Sequence, residues 1–372
     1  MSDERQHPYT YNFNAGPAKV PQEVLRIAQD EFIYYRNSGI SVMEMSHRSV
    51  EFEAIINDAE KLLRELLNIP ENYKVLFAHG GGTGQFASIP LNLAQAGDVV
   101  NYAITGTWSE KAAKEAEKYL KVNRVTTKPE KFITIQPQST WNIDPAGKYL
   151  FYTDNETIHG IEYQVPVTPV PGMPLVFDMT SNFLTRPVNV SNYGAIIAGT
   201  QKNAGVAGLA IIIVRDDLIG KPQTICPSIL DYKVLNANRS LYNTPATYSI
   251  YMCKLYLQWI KDQGGLEEMA RRAKIRSSLI YNVIDQSNGF YVNVIDPATR
   301  SRVNAVFRVG GPTGDAELEK RFLEEAAKRN FVGVKGHRSV GGIRISMFNA
   351  CPVKDAEVVA EFLKEFMKNN QK

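Results

Sequence analysis

Six short apolar runs, each followed at once by glycine or polar residues, limit the fold of this chain more than any other feature. They are YKVLFA, DVVNYAIT, YLFYT, PLVFD, YGAIIAG and GLAIIIVRDD. FASIPLNLA after the first and SEKAAKEAEKYL after the second read as helices, the latter with Ser109 as its N-cap. Short apolar strands alternating with helices predict an α/β fold with a mostly parallel sheet covered on both faces. Ligands of such sheets bind outside the carboxyl ends of the strands. The polar residues that close each run are therefore the candidates for chemistry.

The pattern changes after TPATYSIYMCKLYLQWIKDQGG, a long apolar helix. A second helix (LEEMARRAKIRSSLIYNVI), strands YVNVI and NAVFRV, the helix DAELEKRFLEEAAKRN, strand-like FVGVKG and GIRISMF, and a last helix AEVVAEFLKEFMK follow. This predicts a large domain over 16–263, a smaller α+β domain over 264–372, and a segment 1–15 packing near the smaller one. A chain of 372 residues can bury cores of that extent.

Composition mainly excludes. The net charge is +3 with no basic run, which argues against a nucleic-acid partner. Cys226, Cys253 and Cys351 are far apart and show no metal-ligand spacing, so neither a disulfide framework nor a metal site is expected. MSDERQHPYTYNF lacks the apolar core of a signal peptide, and GLAIIIV is too short to cross a bilayer. The expectation is a cytoplasmic protein with no membrane partner.

Four strand ends carry the functional reading. HGGGTGQ (His79 to Gln85) is either a tight turn or a phosphate cup at a helix N-terminus; it is neither a Walker A nor a Rossmann fingerprint. Trp108 in TGTWS is either core or a plate for a flat ring. Asp178 closes PLVF, as a turn residue or as the partner of a cationic ring nitrogen. Lys202 in GTQKNAG follows a buried run in a segment without other charges, where burial would lower its pKa toward nucleophilic use. Together these meet the four needs of pyridoxal 5′-phosphate: N–H donors, stacking, a carboxylate for the ring nitrogen, and a lysine that forms a Schiff base with its aldehyde. Lys202 and Asp178 are the catalytic candidates.

On the substrate side, MSHRSVEF and KGHRSVGG place His47, Arg48, His337 and Arg338 in two matching triplets, and Arg344 follows in GGIRIS. Any one of these is commonly a surface ion pair or a structural histidine. As a set they suit a small substrate bearing a carboxylate, which asks for one guanidinium, and a phosphate, which asks for more than one cation.

At these residues the chain resembles the phosphoserine aminotransferases, a family of class V pyridoxal-phosphate enzymes with the fold type I architecture. NFNAGPAKVP, GISVMEMSHRS, HGGGTGQF, NETIHG, FDMTSNF, GTQKNAG, SLYNTPATYSIY and KGHRSVGGIRISMFN carry the resemblance over nearly the whole chain. It implies a seven-stranded, mostly parallel sheet sandwiched by helices, with the cofactor bound covalently to Lys202. It further implies that Asp178 meets the ring nitrogen, Trp108 stacks on the ring and Thr157 lies on its hydroxyl side. Gly82, Thr83 and Gln201 are implied at the cofactor phosphate, with Asn243 and Thr244 reaching that of the other subunit of a homodimer. Arg344 would take the α-carboxylate. His47, Arg48, His337 and Arg338 would surround the substrate phosphate, some of them across the interface.

Thr83 departs from the basic residue that bacterial members often carry there. The implied reaction is ping-pong transamination of 3-phosphohydroxypyruvate by L-glutamate, giving O-phospho-L-serine and 2-oxoglutarate in serine biosynthesis. The alternatives are another class V enzyme, including a cysteine desulfurase, and a non-catalytic fold type I binding protein.

Overall fold

The computed structural model describes residues 8–371. The chain begins with β1 (Tyr11–Asn12), α1 (Gln22–Asp30), α2 (Val50–Leu67), β2 (Tyr73–His79), α3 (Gly81–Leu93), β3 (Val99–Tyr102), α4 (Thr107–Ala116) and β4 (Lys121–Arg124). Next come β5 (Leu150–Thr153), the hairpin of β6 (Asn155–Glu156) and β7 (Ile161–Glu162), β8 (Leu175–Asp178), β9 (Ala195–Gly199) and β10 (Leu209–Arg215). Then follow α5 (Tyr232–Ala237), α6 (Thr247–Asp262), α7 (Gly265–Asp285), β11 (Tyr291–Val292), β12 (Asn304–Val309), α8 (Ala316–Lys328), β13 (Phe331–Val332), β14 (Ile343–Ser346) and α9 (Val353–Asn370).

Seven strands form one sheet in the order β2-β10-β9-β8-β5-β3-β4. β9, β8, β5, β3 and β4 pair in parallel, and β10 runs antiparallel to both β2 and β9. All strands but β10 therefore end on one edge. Alternation explains the unbroken apolar runs, because successive side chains enter different cores. Val75, Phe77, Ile196, Phe177 and Tyr152 face a core completed by α2 and α6. Leu76, Ala78, Ile197, Val176 and Phe151 face a second, completed by Phe86 and Ile89 of α3 and Ala112, Ala113 and Ala116 of α4.

A third core lies around the β11-β12-β14 sheet, α8 and α9. α7 serves two of the cores: Leu266 and Met269 enter the first, and Ile280 and Ile284 the third. Near the N-terminus, β1 pairs in parallel with β13 and Phe13 enters the third core. Residues 1–7 of the predicted segment 1–15 lie outside the described residues.

The start of α4 corrects the sequence reading. The helix begins at Thr107, so Ser109 is in its first turn rather than at its cap. Its first N–H groups are held by a carboxylate from elsewhere in the chain: Glu156 accepts from Trp108 N (2.9 Å), Ser109 N (2.8 Å) and Ser109 Oγ (2.7 Å). Gly106 is required for that approach, since a Cβ there would collide with the Glu156 carboxylate.

A buried ionic cluster ties the β6–β7 hairpin to later segments. Glu162 is fully buried and accepts from Arg302 Nη2 (2.6 Å), Arg302 N (2.7 Å), Arg186 Nη1 (3.3 Å) and Asn182 Nδ2 (3.1 Å). Arg186 also donates to Asp154 at 2.6 Å. Removing one member leaves buried charge uncompensated. Glu162→Ala is expected to lower unfolding stability by about 3–5 kcal/mol, read as a shifted midpoint in a denaturant melt; an unchanged midpoint would contradict the cluster's role.

Candidate active site

The carboxyl edge of the large sheet opens into a cavity lined by Gly82, Thr83, Trp108, Thr157, Asp178, Gln201, Lys202, His337 and Arg344, together with Thr153, Thr180, Ala15 and Gly16. β8 ends at Asp178, Lys202 follows β9, Trp108 opens α4 after β3, and Gly82 and Thr83 lie in the first turn of α3 after β2. The glycine run is thus helix rather than loop from Gly81 on, and the first-turn N–H groups have no intrahelical acceptors. Glycine lets the segments approach closely here: a Cβ on Gly82 would lie 3.0 Å from Thr180 Oγ1, and one on Gly199 would lie 3.2 Å from Gly82 N.

Lys202 is buried, and its Nζ donates to Thr157 Oγ1 at 3.1 Å. Burial pushes its pKa down to about 8; Asp178 opposes the shift and Arg344 adds to it. The ammonium also lies 5.9 Å from the centre of the Trp108 ring. Asp178 is buried as well. Its Oδ1 accepts from Thr180 N (2.9 Å) and Thr180 Oγ1 (2.6 Å), which leaves Oδ2 without a protein donor among the described residues. Burial pushes this carboxyl's pKa up, and the Thr180 bonds, Lys202 and the neighbouring Thr153 hydroxyl counter only part of that. A cation facing Oδ2 would restore the charged form.

Arg344 comes from β14, where it pairs in register with Val306 of β12. Its Nη1 reaches Thr157 O at 3.4 Å, its Nε is buried without a partner, and no carboxylate lies within ion-pair distance among the described residues. A half-buried guanidinium so placed suits a carboxylate ligand. A polar web fixes this strand against the lysine loop. Asn155 Nδ2 donates to Ser181 Oγ (2.8 Å) and Asn304 Oδ1 (2.9 Å), and Asn304 Nδ2 donates to Ser346 Oγ (3.0 Å). Asn203 Nδ2 donates to Ser181 O (3.0 Å) and its Oδ1 accepts from Asn349 N (2.9 Å).

The remaining predicted residues lie apart from this cavity. His47 and Arg48 stand in the turn before α2, with His47 Nε2 buried and unpartnered and Arg48 exposed. Arg338 is exposed on the loop that brings His337 to the rim. Asn243 Nδ2 lies 3.2 Å from His79 Nε2, and Thr244 is exposed. Sequence reasoning missed Glu156, Thr180, Thr153 and Asn155. Glu156 and Asn155 stand in NETIHG, and a carboxylate beside a buried strand was a signal that the motif itself carried.

The donor set fits pyridoxal 5′-phosphate on this structure's own terms. Trp108 Nε1 and Thr153 Oγ1 are buried on the cavity wall without partners, Asp178 keeps one oxygen free, and the α3 N-terminus presents N–H groups. Among the described residues there is no His, Cys, Asp and Glu cluster suited to a metal, and no helix long and apolar enough to cross a membrane.

The chain matches the family model described as aminotransferase class-V over residues 10–359. It is 51% identical to the phosphoserine aminotransferase of Drosophila melanogaster, over 97% of this chain and 99% of that protein. Its fold superposes on the phosphoserine aminotransferase from Bacillus circulans subsp. alkalophilus with a TM-score of 0.93 at 41% identity, covering 97% of this chain and 99% of that one. The PLP-bound phosphoserine aminotransferase from Trichomonas vaginalis gives a TM-score of 0.91 at 39% identity, covering 96% and 100%. The fold is the fold type I architecture of these enzymes.

The depressed pKa of Lys202 has a consequence for stability. Because its folded value near 8 lies below the ordinary 10.5, the folded state resists the proton. The penalty is fully present below pH 8 and is relieved as pH rises toward 10.5. Lys202→Met is expected to stabilise the cofactor-free protein at pH 7 by up to about 3 kcal/mol, with the gain shrinking at pH 9.5 in parallel denaturant melts. A loss of stability at pH 7 would contradict the assignment.

Proposed function

The chain belongs to the phosphoserine aminotransferase family of class-V aminotransferases, and from that premise we propose that it moves an amino group between L-glutamate and 3-phosphohydroxypyruvate. The products are O-phospho-L-serine and 2-oxoglutarate, and the two half-reactions share one cavity in ping-pong order, in the route to serine. The protein is a pyridoxal-phosphate-dependent transaminase. The observation that carries the reading is a buried, easily deprotonated Lys202 that feels both Asp178, buried with one oxygen free, and Arg344, which pairs with no carboxylate among the described residues, all three on one cavity.

Pyridoxal 5′-phosphate supplies an aldehyde that condenses with amines and a cationic ring that draws electrons from the substrate's α-carbon. Lys202 is assigned as its attachment point and, once released by the substrate amine, as the base that carries the α-proton. A pKa near 8 leaves a useful share of neutral amine at neutral pH. Asp178 Oδ2 is assigned to the ring nitrogen, and Thr180 keeps the carboxylate aimed. Trp108 is assigned to the ring face and Thr157 to its hydroxyl side. The N–H groups at Gly82 and Thr83, with Gln201, are assigned to the phosphate. Arg344 orients the α-carboxylate that both amino donors share.

The second anion of each substrate is assigned to His337 and Arg338 with His47 and Arg48. We assign the latter pair, and Asn243 and Thr244 at the cofactor phosphate, to the neighbouring subunit's cavity in a homodimer. Their positions away from the cavity of their own chain support this, as do the exposed Ile33, Tyr34, Met43, Val50 and Tyr242 in the same segments. On the same reading residues 16–263 form the cofactor-bearing domain and 264–372 the smaller domain, with residues 8–15, the described part of the segment 1–15, an arm beside it. The protein is assigned to the cytoplasm.

A cysteine desulfurase needs a reactive thiolate. Burial pushes Cys253 and Cys351 up to about 12 and Cys226 up to about 11, which disfavours that alternative. O-phosphoserine is expected to convert the enzyme's absorbance to that of the aminated cofactor at far lower concentration than serine. Equal response to both would refute the phosphate assignment. Arg344→Ala is expected to lose on the order of 2–5 kcal/mol of substrate binding, seen as a raised KM for both donors. Lys202→Ala should abolish turnover, and near-native turnover in that variant would overturn the mechanism.

A further inference from the structure

The loop from Gly336 to Gly342 carries His337 and Arg338 and is folded back on itself. Gly336 N donates to Gly342 O (2.8 Å), and Val340 N and Gly341 N both donate to His337 O (3.0 and 2.8 Å). A side chain from β12 grips this turn from outside: Arg308 Nη1 donates to Val340 O at 3.2 Å. The same guanidinium is locked by α8, through Nε to Glu319 Oε1 (2.6 Å) and Nη2 to Glu319 Oε2 (3.2 Å).

The seat is built for that guanidinium. Gly314, Gly341 and Gly342, from two separate turns, all close on it with φ of +76°, +69° and +68°. A Cβ on Gly341 would lie 3.0 Å from Arg308 Nη1, one on Gly342 2.8 Å from Arg308 Cδ, and one on Gly314 would collide with both Arg308 and Glu319. Neither Arg308 nor Glu319 lines the cavity. A bidentate fork fixes direction as well as distance, so the pair sets where the turn points.

We infer that Arg308 and Glu319 are positioning residues that aim His337 and Arg338, and thereby set the preference for a substrate carrying a second, phosphate anion. This rests on the assignment of that loop to the substrate phosphate. The test follows the amino-donor half-reaction of the holoenzyme, with no keto-acid acceptor present, for O-phosphoserine and for L-alanine; alanine shares the α-carboxylate and lacks the second anion.

Arg308→Met is expected to raise the half-saturating concentration of O-phosphoserine by roughly tenfold, with its limiting half-reaction rate within about twofold and the half-reaction rate with alanine unchanged. Arg308→Lys should fall between, because a lysine keeps the charge and loses the fork. Should Arg308→Met fail to fold, the near-isosteric Glu319→Gln carries the same expectation. An unchanged preference, or an equal loss with both donors, would overturn the positioning role. A wild-type enzyme with no preference for O-phosphoserine over alanine would overturn the phosphate assignment itself. A wild-type preference kept in the variants overturns only the role of the pair.

Discussion

Among the described residues, an amine, a carboxylate and a guanidinium are held around one cavity without pairing, and the rest of the molecule is arranged so that they stay apart. Lys202 bonds only a threonine hydroxyl, Asp178 is occupied on one oxygen by Thr180, and Arg344 reaches a backbone carbonyl. Unpaired buried charge is unfavourable. It persists where the surroundings are too rigid to let the groups collapse together. Apolar cores on both faces of the sheet supply that rigidity for the strands that carry Asp178 and Lys202. The Asn155–Asn304–Ser346 web supplies it for the strand that carries Arg344. The cavity is thus tuned for a ligand that brings a carbonyl, a cationic nitrogen and a carboxylate.

Most of the site was legible because function in an open α/β sheet gathers at strand ends. GTQKNAG, PLVFD and TGTWS announced Lys202, Asp178 and Trp108 as polar or aromatic interruptions of buried runs, and all line one cavity. The structure adds what interruptions alone do not convey. Glu156 looked like one more polar residue of NETIHG, yet it fills the N-terminus of α4 and so fixes Trp108. Ser109 looked like a local cap because local rules see only neighbours in sequence; a carboxylate 47 residues away won the position.

α2 is legible in the same local terms. Ser49 caps it, and Phe52, Ile55, Ile56, Ala59, Leu62 and Leu63 repeat at helical spacing. The strand β4 was harder. KVNR is short and polar, as an edge strand can be, and its pairing with β3 is decided by the sheet rather than by its own residues. His47, Arg48, Asn243 and Thr244 illustrate a different limit. The motifs naming them are distinctive, but within one chain they lie away from the cavity.

The sequence by itself determined the alternation of strand and helix and which polar and aromatic side chains close the buried strands. Those follow from local periodicity and from the rule that a buried charge needs a reason. Only the tertiary structure decided which residues share a cavity, their order along the sheet edge, how far burial moves Lys202, and why no carboxylate among the described residues pairs with Arg344. Desolvation and pairing depend on groups far apart in the chain, and their distances exist only once the sheet and the web across it have formed.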